Sequence, residues 1–573
     1  MTVKGRRIFN RRPVCFFALF LAAGIILAEA FYPTDRLFRL IPLLLTAAVC
    51  ILFGVLPKTR RLVYLPLALL VGFLSCAGAA DIVDSRLVPD TRGTFTARVA
   101  SEIVVEDGMA EFYVEDIYID GSVTEGECVV YVPLDTPDFG AGDIVLLEGE
   151  LTSVRHEAFD TFFASDVLSD TLFTLDADRA ELLAEGEPDF ILSVQLSVSR
   201  LFYEHMDEDT SVIARALVIG DKRGIDDLLY EDVQASGLAH VLSVSGLHIT
   251  ALATAVYWVF RKLGINAKIA YVVVLALSLF YVALCDFVPP AVRSLVMTAV
   301  FNFGSVFGFK RDGLSALSAA AAVIMLFSPF SLMHVGFLLS VFSLLGIMLF
   351  ADPFKKFLMR GVDRVAPPRL AVSSRAGELK GTAAVQAGVI PEEDPLVRLV
   401  AEKEAEERAR EGKRPRRAKK PRERLLRRSL TYVAESSSVA VAANLTSLPL
   451  AALFFGKVQT LFILSNIVIL PYTMFIYLFL LIITPFALIT GLHGLVGAAD
   501  VLMLPFTAFV RAVGGISFAS VPFSASVTGV VCTLSAEVIL SRFVFLKRTE
   551  RAVGVIALAV IFLLVTSVAL AVG

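Results

Sequence analysis

Charge is scarce in this sequence. Only 19% of its 573 residues are Asp, Glu, Lys or Arg, where soluble domains carry about 25%. Hydrophobic residues make up 56%, and the mean hydropathy is +0.73. Those values exclude a disordered chain and a soluble multidomain enzyme. Cysteine is sparse too. Cys15, Cys50, Cys76, Cys128, Cys285 and Cys532 are scattered, five of them in apolar segments. Only Cys128 falls in a stretch that reads as soluble, so that stretch has no internal disulfide. There is no CxxC and no Cys/His cluster, hence no zinc ribbon; neither a metal nor a cofactor is expected. The phosphate-cradling run GxxxxGK followed by Ser or Thr is missing as well, so no ATPase motif is present.

Long apolar runs are abundant. Many are long enough to cross about 30 Å of hydrocarbon. The expected fold class is a polytopic α-helical membrane protein of about 11–13 spans with an extracytoplasmic small β-barrel (OB-like) domain. The net charge of −4 hides a segregation: residues 1–80 carry +8, residues 81–190 carry −22 and the remainder carries +10.

Lys and Arg mark the cytoplasmic side of short loops. Residues 1–80 then form three transmembrane helices, about Val14–Phe31, Leu40–Leu56 and Leu62–Ala80. Lys4, Arg6, Arg7, Arg11 and Arg12 lie inside, as do Lys58, Arg60 and Arg61. The basic start followed by an apolar run mimics a signal peptide, but no convincing cleavage site follows it, so an uncleaved helix is expected.

Residues 81–190 are placed outside the cytoplasm and read as β. Alternation runs through Thr94–Val99, Ala110–Ile119, Cys128–Val132 and Asp143–Thr152, with turns at Asp120-Gly121, Glu125-Gly126 and Gly140-Ala-Gly142. Five or six short strands suit an OB-like barrel, with a small sandwich as the alternative. Residues 191–236 are expected as amphipathic interfacial helices, over Asp189–Met206 and Thr210–Ile219.

A first membrane block covers 237–350, with spans near Gly237–Phe260, Ala270–Asp286, Ala291–Phe309, Leu314–Phe327 and Leu332–Phe350. Arg261, Lys262, Lys310 and Arg311 mark its cytoplasmic turns. Residues 351–430 form a cytoplasmic charged loop. Its stretch Lys413–Arg428 holds 10 basic residues and one acidic. That run suits a topology determinant touching anionic lipid, or a contact for nucleic acid or a partner. A second block covers 431–573, with spans at Ser436–Phe455, Val527–Phe545 and Ala552–Leu570. Leu461–Leu488 is too long for one simple span and is expected to break at Pro471 and Pro485. Leu492–Val513 either spans or lies along the surface.

Placed polar residues carry the functional signal. His240, Ser243, Ser245 and His248 enter what should be the start of a membrane helix, and Gly246 lets backbone approach closely. Such groups either hydrogen-bond between helices or line a hydrophilic conduit. His240 and His248 stand eight residues apart, about 12 Å along a helix, too far to share one metal ion. Arg293 follows Pro289-Pro290 near a helix end. It either snorkels to the interface or faces a path as a phosphate-binding cation, with Asp286 near enough to pair with it.

The run Gly237-Leu-Ala-His240-Val-Leu-Ser-Val-Ser245-Gly246-Leu-His248 resembles the signature G-L-x-H-L-L-A-I-S-G-L-H of the ComEC/Rec2-type competence family, and Gly220-Asp221 upstream matches as well. Pro289-Pro-Ala-Val-Arg293-Ser-Leu-Val-Met297 resembles its P-S-x-x-R-A-x-x-M. Ser328-Pro-Phe with Gly336-Phe-Leu-Leu-Ser340 resembles its P…G-F-Q-L-S. Ser447-Leu-Pro449 and Asn466 followed by Pro471 resemble its T-L-P and N-x-x-x-x-P. The resemblance covers about residues 1–545. Pro290 and Leu338 depart from it, each removing a polar group where the family has Ser and Gln.

The resemblance implies an inner-membrane channel that moves single-stranded DNA inward during natural transformation, in the bacterial plasma membrane with the N-terminus cytoplasmic. It implies a path past His240, Ser243, Ser245, Gly246, His248, Asp286, Arg293, Ser340 and Asn466. It also implies a cytoplasmic helicase or translocase and an extracytoplasmic DNA receptor as partners, besides membrane lipids. Many relatives end in a metallo-β-lactamase-like domain. His156, His205, His240, His248, His334 and His493 are too dispersed for its HxHxDH motif, so a shorter, non-enzymatic architecture is expected. The acidic β domain is a poor single-strand binder by charge and suits a structural collar. The alternatives are a small-molecule or lipid-precursor transporter on the same fold, and a membrane scaffold or receptor.

Overall fold

The long apolar runs fold as helices and the acidic segment folds as a β domain. The computed structural model describes residues 12–32, 36–55, 62–106, 108–119, 122–133, 138–155, 160–242, 246–308, 312–365, 421–516 and 518–540. The chain begins with helices α1 (Pro13–Phe31), α2 (Arg36–Val55) and α3 (Tyr64–Arg86). Strands β1 (Thr91–Val99), β2 (Val104–Glu106), β3 (Met109–Ile119), β4 (Ser122–Thr124), β5 (Glu127–Pro133) and β6 (Ile144–Ser153) follow, then α4 (Thr161–Leu168) and β7 (Thr171–Ala184). Short helices α5 (Phe190–His205), α6 (Glu208–Val218), α7 (Asp227–Ala235) and α8 (Ala239–Leu242) lead into α9 (Gly246–Lys262), α10 (Ala267–Leu284), α11 (Pro289–Val306), α12 (Gly313–Phe327) and α13 (Val335–Val365). Beyond residue 420 come α14 (Pro421–Phe455), β8 (Lys457–Gln459), α15 (Phe462–Thr490), α16 (Gly494–Gly514), β9 (Ser520–Pro522) and α17 (Val527–Leu540).

Seven helices among the described residues are long and apolar enough to cross a membrane: Pro13–Phe31, Tyr64–Arg86, Ala267–Leu284, Val335–Val365, Leu425–Phe455, Phe462–Thr490 and Gly494–Gly514. The protein is therefore a multi-pass helical membrane protein. The apolar stretches Ile41–Leu52, Gly313–Phe327 and Val527–Glu537 are shorter. The expected span Ala552–Leu570 and residues 413–420 of the basic run lie outside the described residues.

Two expectations are corrected. Leu461–Leu488 does not break: α15 is one continuous helix with Pro471 and Pro485 inside it. Each proline removes one backbone donor, but a membrane helix tolerates this where neighbours cover the freed carbonyl. Hydroxyls also bond back within α15, Thr473 to the Ile469 carbonyl and Thr490 to that of Phe486. At 29 residues it is about 43 Å long, enough to cross at a tilt. Second, α6 is not a half-exposed interfacial helix. Thr210 through Val218 are all buried, and α6 contacts α15 and α16. Its core partners include Ile476, Leu480, Met503 and Phe506.

In the β domain, β1 pairs antiparallel with β6, β6 with β7 and β5 with β3, while β7 runs parallel to β5. β3 also pairs with β1, so the ladder of five strands returns to its start. β2 and β4 attach to β3. Alternate residues point inward: Phe95, Ala97 and Val99 from β1, Ala110, Phe112 and Val114 from β3, Val145, Leu147 and Leu151 from β6. Gly149 lets β6 lie close against β7, since a Cβ there would lie 2.2 Å from the Asp176 carbonyl oxygen. Strand β7, which contains Leu172-Phe-Thr-Leu-Asp-Ala, is not among the stretches that alternation marks.

The described residues divide into two compact units, Met1–Ala351 with Ala440–Gly573, and Asp352–Val439. In the smaller unit, Lys355 pairs with Glu435 at 2.8 Å and Arg427 with Asp363 at 3.1 Å. In the larger, α1 and α3 meet backbone to backbone. A Cβ on Gly24 would lie 2.0 Å from the Leu69 oxygen, and one on Gly72 would lie 2.2 Å from that of Leu21. Apolar helices gain no hydrophobic drive from each other in lipid, so close approach of small residues holds them together.

Gly24→Val should therefore disrupt the α1–α3 pair, whereas Gly78→Val, where nothing lies within 4 Å of the added carbon, should not. Thermal unfolding of the detergent-solubilised chain checks this. We expect a clear drop in melting temperature for the first variant and little change for the second.

Candidate functional site

A concentration of charged side chains lines a cavity of about 510 Å³ between the β domain and the ends of the membrane helices. The β domain supplies Ser101, Glu102, Tyr113 and Glu127. The turn after α6 supplies Asp221, Lys222 and Arg223, and the α10–α11 turn supplies Asp286. A second cavity, of about 440 Å³ along α9 and α15, is lined by apolar and threonine side chains such as Leu247, Thr250 and Trp258, and offers no ionisable group.

Asp221 organises the polar chamber. Arg223 grips it with Nε at 3.0 Å and Nη2 at 3.1 Å, and the Arg223 backbone N–H donates to it at 3.0 Å. Arg215, buried on α6, donates to both Asp221 and Glu102. Arg223 Nη1 then reaches the β domain, donating to Ser101 Oγ and the Glu102 carbonyl at 2.9 Å each. Its guanidinium lies 5.4 Å from the Tyr113 ring centre. Ser199 of α5 donates to Glu102 at 2.6 Å. Gly220 (φ +81°) and Gly224 (φ +78°) bracket this loop in the left-handed region, where a side chain would strain the turn.

These contacts set the protonation states. Burial pushes the Asp221 carboxyl up, but Arg223 and Arg215 override it, so Asp221 sits below the usual carboxylate range. Burial likewise works against the Arg223 charge, and Asp221 more than restores it. Lys222 lines the chamber with its side chain reaching solvent, and the protein around its base lowers its pKa. Burial and then the charges of Asp286 and Asp170 push Glu127 up to about 7.

The residues singled out from sequence do not all converge. Asp286 lines the chamber, with positive φ at both Asp286 and Phe287 shaping the turn. No ion pair joins Asp286 to Arg293 among the described residues: the α11 helix turns Arg293 away, toward Gly336 and His334. Arg293 is 5% exposed, and its Nε and Nη1 have no hydrogen-bond partner among the described residues. His248 is fully buried, its ring 4.5 Å from that of Tyr477 in an apolar cluster with Ile249 and Tyr281. Gly246 faces Ser294 of α11, whose Oγ would lie 3.4 Å from an added Cβ. Ser340 is half-buried on α13. Asn466 turns its amide back to the Phe462 carbonyl at 2.6 Å. Ser243 and Ser245 lie outside the described residues, as does the side chain of His240, whose backbone belongs to α8. Of the helix expected over Gly237–Phe260, the described residues hold α8 and α9.

Glu102, Arg223 and His334 were not singled out. The one available signal was the dense run Gly220-Asp-Lys-Arg directly after an apolar helix. Glu102 offers none, because it joins the site from more than a hundred residues away.

Comparison with known proteins follows the same residues. A family model described as Competence protein matches residues 217–391 and 411–549, more than half of the chain. ComE operon protein 3 of Bacillus subtilis (strain 168) is 26% identical over 166 residues, covering 29% of this chain and 21% of that protein. Competence protein ComA of Neisseria gonorrhoeae is 29% identical over 194 residues, covering 31% of this chain and 27% of that protein. The similarity thus spans only about a quarter of each relative's length. No solved structure matches the chain.

The raised Glu127 pKa fixes a pH dependence. The folded chamber holds a proton on Glu127 that the unfolded chain releases near pH 4.5, so stability is full below that pH and falls until about pH 7. Glu127→Gln should flatten the loss. Melting temperatures at pH 5 and pH 8 should differ less in the variant than in the native chain.

Proposed function

Because the chain belongs to the competence protein family, we propose that it carries single-stranded DNA inward across the bacterial plasma membrane during transformation. The path begins in the chamber and continues past Arg293. The N-terminus is cytoplasmic and the β domain is outside, an orientation supported by the charge split. Trp258 and Lys262, stacked at 5.8 Å at the end of α9, suit the cytoplasmic membrane interface. The returning ladder of β1, β3, β5, β7 and β6 supports an OB-like barrel. That domain acts as a collar: its −22 charge repels a polyanion, while Ser101 and Glu102 are engaged in holding it to the helices. A cytoplasmic helicase or translocase supplies the work, and an extracytoplasmic receptor delivers the strand.

The observation that carries this reading is the Arg293 guanidinium, buried with two unmade hydrogen bonds. A buried, uncompensated cation costs several kcal/mol, roughly. A passing phosphodiester supplies both the charge and the acceptors. Contacts to phosphate alone tolerate any base sequence, as an import path must. A transporter of small solutes is the second reading, favoured by the chamber volume of about 510 Å³, which falls in the range of small-molecule sites.

In a transformable host, Arg293→Ala should cut uptake of a labelled strand about tenfold or more, the loss expected for one charged hydrogen-bonding group. Arg293→Lys should retain part of it. Normal uptake after deletion of the gene would sink the transport reading.

A further inference from the structure

The chamber's charges are unequally engaged. Glu102 and Asp221 are held by Arg215, Arg223 and Ser199. The Lys222 ammonium makes no hydrogen bond or ion pair among the described residues, although it lines the same space. His334, in the turn between α12 and α13, lines the chamber as well. Its Nδ1 accepts the Gly336 backbone N–H at 3.1 Å. An accepting nitrogen carries no proton, so the ring is neutral and its proton sits on Nε2 as a donor.

Gly336 brings this ring to Arg293. A Cβ at Gly336 would lie 2.9 Å from His334 Cε1 and 3.0 Å from Arg293 Nη2. The imidazole and the guanidinium therefore converge over a bare backbone that only glycine leaves open. Arg293 lies one turn after Pro289 and Pro290 on α11, and both prolines line the chamber with His334. The guanidinium is thus linked to the chamber through His334, which lines it. Glu127 and Asp286 also line the chamber and disfavour an anion beside them, which leaves Lys222 and His334 as the hospitable side.

We propose that His334 Nε2–H and the Arg293 guanidinium form a subsite for one phosphodiester phosphate, with Lys222 holding the neighbouring phosphate on the chamber side. The assignment rests on the transport reading above and adds two binding residues, Lys222 and His334, to it. Gly336 is a positioning residue, because it sets the approach of the other two.

The test uses the full chain in nanodiscs and a fluorescent ten-nucleotide thymidine strand, with affinity measured across a range of salt. Lys222→Gln should weaken binding and lower the slope of log affinity against log salt by about 0.7, the contribution of one single-strand phosphate contact. Lys222→Arg should restore both. His334→Gln should weaken binding about tenfold, the scale of one hydrogen bond to a charged group, while leaving the slope unchanged because the ring is neutral. A merely structural role would not separate affinity from slope in this way. If the native chain binds the strand but Lys222→Gln keeps the native slope and His334→Gln stays within twofold, the subsite is wrong and the transport reading stands. If the native chain does not bind the strand, the subsite is also rejected, and the gene-deletion experiment decides the transport reading separately. A lipid headgroup offers the same phosphodiester chemistry. Nanodiscs with and without phosphatidylglycerol separate the sources: competition by that lipid in the native chain but not in Lys222→Gln would assign the site to lipid and overturn the strand.

Discussion

The chamber depends on one carboxylate. Asp221 holds Arg215 from the buried helix α6 and Arg223 from the following turn, and Arg223 extends to Ser101 and Glu102 of the β domain. Remove that charge and two arginines are left in a poorly solvated interface, a loss on the order of 3–5 kcal/mol. The ion pairs Arg92–Asp178 and Arg155–Asp90 on the β domain are largely exposed, and such pairs contribute about 0–1 kcal/mol. The buried network therefore decides where the β domain sits. It also fixes the chamber's chemistry, because the cations that hold the domain are no longer free to bind anything else.

On the proposed reading, that division of labour reconciles the −22 charge of residues 81–190 with a polyanionic cargo. The domain's carboxylates either stay on its surface or serve the interface. Free cationic and donor groups are found instead on the membrane side: Lys222 after α6, His334 after α12 and Arg293 on α11. On the proposed reading, the β domain narrows and orients the entrance without gripping the strand.

Much of this was legible in the sequence, and the failures have physical causes. The charge split separated the acidic segment, and period-two alternation marked β1, β3, β5 and β6. Periodicity found α6 but misjudged its surroundings: its Arg215 is buried, and Asp221 and Glu102 neutralise its charge inside the fold. Pro471 and Pro485 read as breaks, but the tertiary surroundings of α15 keep it straight enough to remain one helix. His248 read as either a hydrogen-bonding or a path-lining group, and its ring packs against Tyr477. Arg293 was visible as a lone cation in an apolar helix. Its convergence with His334 was not, because it depends on two turns forty residues apart meeting at Gly336.

The central claim is that the strand enters between the β domain and the membrane helices. A photo-crosslinking amino acid placed at Tyr113, inside the chamber, and separately at Tyr118, exposed on the same strand β3, tests it most directly during uptake of a labelled strand. The account predicts a crosslink from position 113 and little or none from position 118. Labelling at 118 alone, or equally at both, would contradict it.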